Sequence, residues 1–267
     1  THNRPECIMA NARILYNMDT WDAATITGSS QANADLVPGN VVHDHVSKMW
    51  RTTGKASENI VFDLGSATKI TCFSMFTFNL TASATVTLQA NASNSWGSPS
   101  YSQALTIATN ADGTVLQRIV YFLDQTYRFW RVTLADSGNA ASYLQIGRIA
   151  AGEYYELTRN INQNFNITMY DPSEGDRVPG RQTFFRNRNR YRRATVRYNL
   201  QSQTQTDKLS AIMEKTGNSR PLVLALDPTD RPSKDSMYCY LETPLSQAHQ
   251  FIGNYSTAQL VYEEKTE

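Results

Sequence analysis

Two histidines set two residues apart, His43 and His45 in the stretch VHDHV, carry the spacing in this chain that most suggests metal chemistry. An extended backbone would put both imidazoles on one face, but zinc needs at least one further ligand from elsewhere. The plainer reading is a polar loop holding an incidental pair. His2 and His249 stand alone. Nucleophile elbows of the G-x-S-x-G type and phosphate-cradling glycine loops do not occur in the chain. Asp63, Asp124 and Asp136 fall at strand or turn positions, where carboxylates commonly hold backbone. No catalytic residue is assigned, and the chain is expected not to be an enzyme.

Arginine supplies the other concentration of chemistry. In RNRNRYRR, Arg186, Arg188, Arg190 and Arg192 would share a face of an extended strand, with Arg193 opposite. Such a row spans roughly 20 Å at ~3.3 Å per residue. Neighbouring guanidinium groups at ~6.6 Å repel by about 0.6 kcal/mol even in water, so the row is expected to lie outside any core. It reads either as a solvated strand or hairpin tip, or as a docking face for an acidic partner, since the planar donor fork fits carboxylates. Nucleic acid ranks below both, because Phe184, Phe185 and Tyr191 are the few aromatics nearby.

Aromatic rings in polar turns suggest a third chemistry, the stacking of sugar rings. Trp96, in NSWGSPS, and Tyr101 are the candidates for glycan contact. Trp50 reads equally well as a plug closing the end of a sandwich.

The elements that must position these residues are mostly strands. Up to about residue 157, short runs rich in β-branched and aromatic residues alternate with turn clusters such as NASNSWGSPS. In RFWRVTLAD, Trp130, Val132 and Leu134 alternate with Phe129, Arg131 and Thr133, the period of a half-buried strand. Residues 158–180 are rich in Asn, Pro and Gly and read as a junction, although FNITMY could itself be a strand. The remainder, 181–267, contains a helix: Leu209, Ile212, Met213 and Thr216 fall on one face, Thr204 or Thr206 can cap it, and Gly217 can end it. Strands follow in RPLVLALD, SMYCYLE and AQLVYEE. The expected fold is mostly β: a sandwich over 1–157 and a smaller α+β unit over 181–267.

Composition narrows the setting. The 25 basic and 24 acidic residues nearly cancel, so the whole chain exerts no pull on nucleic acid or a membrane. Cys7, Cys72 and Cys239 are odd in number and far apart, which encodes neither a disulfide framework nor a zinc knuckle and suits a reducing compartment. Four N-x-S/T triplets are explained by the abundance of Asn, Ser and Thr. No apolar run approaches the ~20 residues of a membrane-spanning helix, and the first residues lack the plan of a secretory signal.

With these residues set out, MWRTTGKASENIVFDLGSATKITCFSMFTFNL (49–80) resembles the discoidin or galactose-binding-like β-sandwich in Trp50, Asp63-Leu64-Gly65 and Asn79-Leu80. YRFWRVTLAD and SYLQIGRIAAGEY resemble that module's closing strands, so the likeness runs from about 10 to 157. IGRIAAGEY is similar to versions in bacteriophage tail proteins. The terminal disulfide of extracellular members is missing here. The family's sugar and lipid contacts lie on variable loops, so no ligand residue carries over. Its members often hold calcium, but no ligand cluster for it stands out, and no cofactor is expected. DKLSAIMEKTGNSRPLVLALDP with the two late strands is similar to the tail-tube-like domain of siphophage tail-tip and distal tail proteins. These resemblances imply a virion structural protein of a tail tip or baseplate, assembled in the host cytoplasm. It would form a ring with copies of itself and contact tube and hub proteins. The alternative is an adhesion module binding cell-surface glycans.

Overall fold

The computed structural model describes residues 10–161, 165–177, 182–251 and 254–266. His2 and Cys7, and parts of the 158–180 stretch, lie outside them. The chain is mostly β, as its alternating patterns predict, and forms two compact units. The first comprises Thr1–Glu156 and Val223–Met237, the second Leu157–Leu222 and Tyr238–Glu267. Residues 223–237, within the range read as the second module, thus group with the first unit. Residues 158–180, read as a junction, group with the second.

In the first unit the strands are β1 (Arg13–Leu15), β2 (Thr25–Gly28), β3 (Trp50–Arg51), β4 (Glu58–Phe78), β5 (Thr85–Asn91), β6 (Tyr101–Leu105), β7 (Arg118–Ala135), β8 (Gln145–Gly152) and β9 (Tyr155–Glu156). β4 and β7 are long antiparallel partners whose register shifts between Asp63 and Thr68 and again between Ile70 and Cys72. Before those shifts β4 pairs with β2, and beyond them with β8. The two strands therefore pass from one layer of a β-sandwich into the other, turning the corner at irregularities. The order β2-β4-β7-β5-β6 makes one layer, and β3-β8-β4-β7 the other.

Burial follows the sequence period. Ile60, Phe62, Trp130, Val132 and Leu134 fill the core, while Val61, Phe129, Arg131 and Thr133 stay half-buried on the outer face. Trp21 anchors that core, stacked on Phe62 at 4.3 Å and edge-on to Phe73 and Trp130 at 6.2 and 6.4 Å, arrangements that add to area burial. Trp50 is fully buried and donates its indole N–H to Ser30 O at 2.8 Å; it is the plug. β8 is buried along most of its length. Its Gly147 is required by close approach, since a Cβ there would lie 2.3 Å from Val46 O. Val223–Ala225 complete the unit by pairing with β1, which pairs with β9 on its other edge.

The second unit carries β10 (Asn166–Tyr170), β11 (Glu174–Arg177), β12 (Thr183–Arg186) and β13 (Tyr191–Val196). β14 (Leu222–Ala225) contains the residues that pair with β1. β15 (Ser236–Leu241), β16 (Gln247–Phe251), β17 (Asn254–Thr257) and β18 (Leu260–Glu264) follow. β13 lies between β10 and β18, and β18 also pairs with β15. β11–β12 and β16–β17 are separate two-stranded ribbons. The helix predicted here runs Gln203–Thr216, with Leu209, Ile212 and Thr216 buried. Its cap is Ser202, whose Oγ accepts from Gln205 N, rather than Thr204 or Thr206. Thr206 instead turns its hydroxyl back onto Ser202 O at 2.9 Å. Gly217 ends the helix with φ 54°, a conformation glycine adopts without strain.

Candidate functional site

The arginine row does not form the single strand expected of it. Residues 187–190 lie between β12 and β13, so the row is split across two strands and a connection. Arg192, expected outside any core, is only 6% exposed. Glu264 on the neighbouring strand accepts from its Nε at 2.9 Å and its Nη2 at 2.6 Å. A bidentate carboxylate is what makes a buried guanidinium tolerable. Arg193 bridges Glu263 and Glu242. Arg190 reaches Asp171 at 2.9 Å, and Arg188 lies 3.8 Å from Glu174. Arg186 is exposed at the end of β12, opposite Glu174. Ser173 and Arg190 together hold the Asp171 carboxyl down at about 2. Much of the acidic surface these arginines were expected to seek is thus supplied by the second unit itself.

His43 and His45 stack at 5.3 Å. His43 Nδ1 accepts from His45 N at 3.1 Å, and Lys48 Nζ lies 3.2 Å from Nε2. Partial burial, then the neighbouring Lys48 and His45, push the His43 imidazole below its usual range. Both ring nitrogens are engaged, one of them by a cation, which is poor preparation for a metal. Among the described residues no cluster of three His, Cys, Asp or Glu could hold one. Cys72 is buried and its thiol is pushed up to about 12, so it is not a nucleophile.

The two aromatics proposed for glycan contact are less exposed than their polar surroundings suggest. Tyr101 packs edge-on to Trp130 at 6.4 Å, and burial together with a hydrogen bond to Tyr121 pushes its phenol up. It belongs to the sandwich. Trp96 is half-buried, donates to Asn94 Oδ1 at 2.7 Å and lies over the Arg131 guanidinium at 4.6 Å.

A concavity of the first unit that can take a small ligand was missed in the sequence, although two of its walls are the two ends of the 49–80 stretch. Met49, Thr77, Phe78, Asn79, Gln117, Tyr143 and Gln145 line a cavity of about 190 Å³ in the first unit. At about 30 Å³ per water it holds roughly six waters, the size class of one sugar ring. Asn79 braces it: its Oδ1 accepts from Gln145 N at 2.7 Å and its Nδ2 donates to Tyr143 O at 3.0 Å. Asp136 secures the same loops, accepting from Thr81 N and Oγ1 at 2.8 Å and from Asn139 at 3.0 Å. Gln145 is held by Met49 and by Arg51, whose guanidinium lies 4.2 Å over the Tyr143 ring.

Phe78 is buried in the floor. The Thr77 hydroxyl, the Gln117 amide and the Tyr143 hydroxyl make no side-chain hydrogen bond to the described residues, so they are open to a ligand. Thr77 has φ 57°, strained for a β-branched residue, and such strain collects at binding sites. The signal available in sequence was the Phe78-Asn79 corner, but Gln117 and Tyr143 come from loops whose closure depends on tertiary pairing.

No family model matches the chain, and no curated protein matches it. Solved structures do. One is chitosan-binding module 1 of a chitosanase/glucanase from Paenibacillus sp. IK-5, at 21% identity and TM-score 0.37, covering 49% of this chain and 95% of that one. Another is chitosan-binding module 2 of the same enzyme with chitotriose, at 20% identity and TM-score 0.38, covering 49% and 96%. A third is the lectin domain of lectinolysin complexed with Lewis B antigen, at 11% identity and TM-score 0.38, covering 48% and 92%. Each likeness spans about half of this chain.

Proposed function

We propose that the first unit is a carbohydrate-binding module that takes a sugar ring in the cavity between Met49 and Tyr143. The observation that carries this reading is the composition of that cavity: an apolar floor, one aromatic wall and three polar groups left for hydroxyls. A pyranose has the same duality, with an apolar C–H face and an edge of hydroxyls, and sites for small ligands combine these elements. The sequence resemblance to galactose-binding-like sandwiches supports it. Nothing in the cavity supplies an acid–base pair, so the proposed role is adhesion without bond cleavage. Tyr143→Ala in the full chain is expected to lower glycan affinity at least tenfold on an array or by calorimetry, with the unfolding temperature little changed. Undiminished binding would place the ligand elsewhere.

A second reading is structural, a virion component of a tail tip or baseplate that assembles with copies of itself. One observation favours it: Phe184 and Phe185 are 61% and 69% exposed on the β11–β12 ribbon. Phe185 lies across Gly175, where a Cβ would come within 2.9 Å of the ring. A two-stranded ribbon is marginal alone, and exposed aromatics of this kind mark contact surfaces. Arg186 and Arg188 flank them and would meet an acidic neighbour. Sedimentation of the intact protein is expected to show oligomers that Phe184→Ser with Phe185→Ser disperses. A monomer at every concentration counts against this reading.

A further inference from the structure

One small arrangement occurs twice in the first unit. Arg51 on β3 faces Gln145 on β8 across the strands, and Arg131 on β7 faces Gln89 on β5. In each pair a single glutamine Oε1 accepts from both Nε and Nη2 of the arginine. The distances are 3.0 and 2.8 Å for Arg51, and 2.9 and 2.7 Å for Arg131. In each, an aromatic ring lies against the guanidinium, Tyr143 at 4.2 Å and Trp96 at 4.6 Å. Neither arginine forms an ion pair with the described residues. Elsewhere in the chain Arg128, Arg148, Arg192 and Arg193 are each neutralised by a carboxylate.

The chemistry left over is specific. A guanidinium has five N–H donors, and the glutamine oxygen uses two. The remaining three are fixed in plane by the aromatic ring and the cross-strand amide, so little rotational freedom is lost when they are used. The positive charge is retained, half-buried and uncompensated; burial pushes Arg131 below the ordinary guanidinium range, with no acidic side chain opposing it. A neutral acceptor positions the fork where a carboxylate would have consumed it.

We propose that the glycan bound by the first unit is acidic, and that Arg51 and Arg131 are two carboxylate-reading stations for it, backed by Tyr143 and Trp96. This rests on the carbohydrate-binding reading and names its ligand class. The Arg51 station adjoins the Met49–Tyr143 cavity, so a sugar ring seated there brings an exocyclic carboxylate toward the cation. The Arg131 station lies in the other layer, β2-β4-β7-β5-β6, on its outer face among polar neighbours, and takes a carboxylate independently of the first.

The test is calorimetry of the full chain with polygalacturonate and with the same polymer fully methyl-esterified, which keeps the ring and removes the charge. The acid is expected to bind at least about tenfold tighter than the ester, the scale of one charge-assisted hydrogen bond, and the advantage should shrink as salt rises. Arg51→Gln and Arg131→Gln should each reduce that preference, and the double variant should bind acid and ester with equal affinity. Arg131→Lys, which keeps charge but loses the fork, should retain part of it and reports whether the sheet still folds. Equal affinity for acid and ester, or a preference untouched by both variants, overturns the acidic-ligand proposal and leaves the carbohydrate reading standing. Absence of binding to these polymers and to every member of a neutral and acidic glycan array overturns both.

Discussion

At the scale of single residues, the clearest lesson concerns charge taken out of water. Asp22 sits beside the fully buried Arg148 at 2.8 Å, yet burial outweighs the attraction and, with Asp44 and Asp19 nearby, raises its pKa to about 6. The folded state therefore holds this proton more tightly than the unfolded chain, in which an aspartate titrates near ~3.9. Stability from this group is greatest below about pH 4, declines as pH rises to about 6, and is level beyond. The full swing is about 3 kcal/mol at most, at 1.36 kcal/mol per unit. Urea unfolding at pH 4.5 and pH 7 should show that decline, and Asp22→Asn should remove it while costing stability at pH 7 by weakening the partner of Arg148. An identical pH slope in the variant would show that another group is responsible. None of this was visible in the sequence, where Arg148 sits in an apolar run and Asp22 in a polar one. The same holds for Arg192: its spacing read as surface, and only the register that sets it beside Glu264 permits burial.

Elements were far more legible than their partners. Alternation in β7 announced a strand with one apolar face, and the helix period announced the helix at Gln203–Thr216, because both depend on neighbours in sequence. The helix cap was misplaced by a few residues, since Ser202, Thr204 and Thr206 are all chemically able and the chain's entry angle decides among them. Ser202→Ala is expected to cost about 1 kcal/mol, seen as a lower urea midpoint, whereas Thr204→Ala should cost far less. Equal effects would mean the cap is shared. The long strands also carried a feature that no periodicity shows, their bends near residues 64–71. Those bends bring Phe78-Asn79 to the rim where Tyr143 and Gln117 complete the cavity. The candidate site was therefore legible only in fragments: Asn79 stood out, as the brace it is, while the ligand-facing groups lay on loops with no pattern of their own.

For the molecule as a whole, the chain forms two compact units whose bounds differ from the division expected from composition, and the path of the chain was not legible. Residues 223–237 return to the first unit, and they contribute more than length. Ser233 Oγ accepts from the buried Val120 N at 3.1 Å, while Ser233 O and Lys234 O accept from Arg118 at 2.7 and 3.3 Å. Val223–Ala225 supply the neighbour of β1. A fragment ending at residue 157 loses all of these. Leaving one buried donor unmade costs about 1–3 kcal/mol, and the missing strand adds to that. The fragment is expected to unfold about 6–12 °C below the full chain in a thermal scan, with restoration when a peptide of 223–237 is supplied. A fragment as stable as the parent would show that the returning segment is dispensable.

The returning segment also sets a schedule for synthesis. A ribosome that has finished residue 156 must add about 80 more before the first unit has all its parts, which at about 5–20 residues per second takes roughly 4–16 s. During that interval the nascent sandwich waits with the open edge of β1 uncovered, a template for stray strands. Crowded translation of this chain is thus a contest between its own late segment and its neighbours' edges.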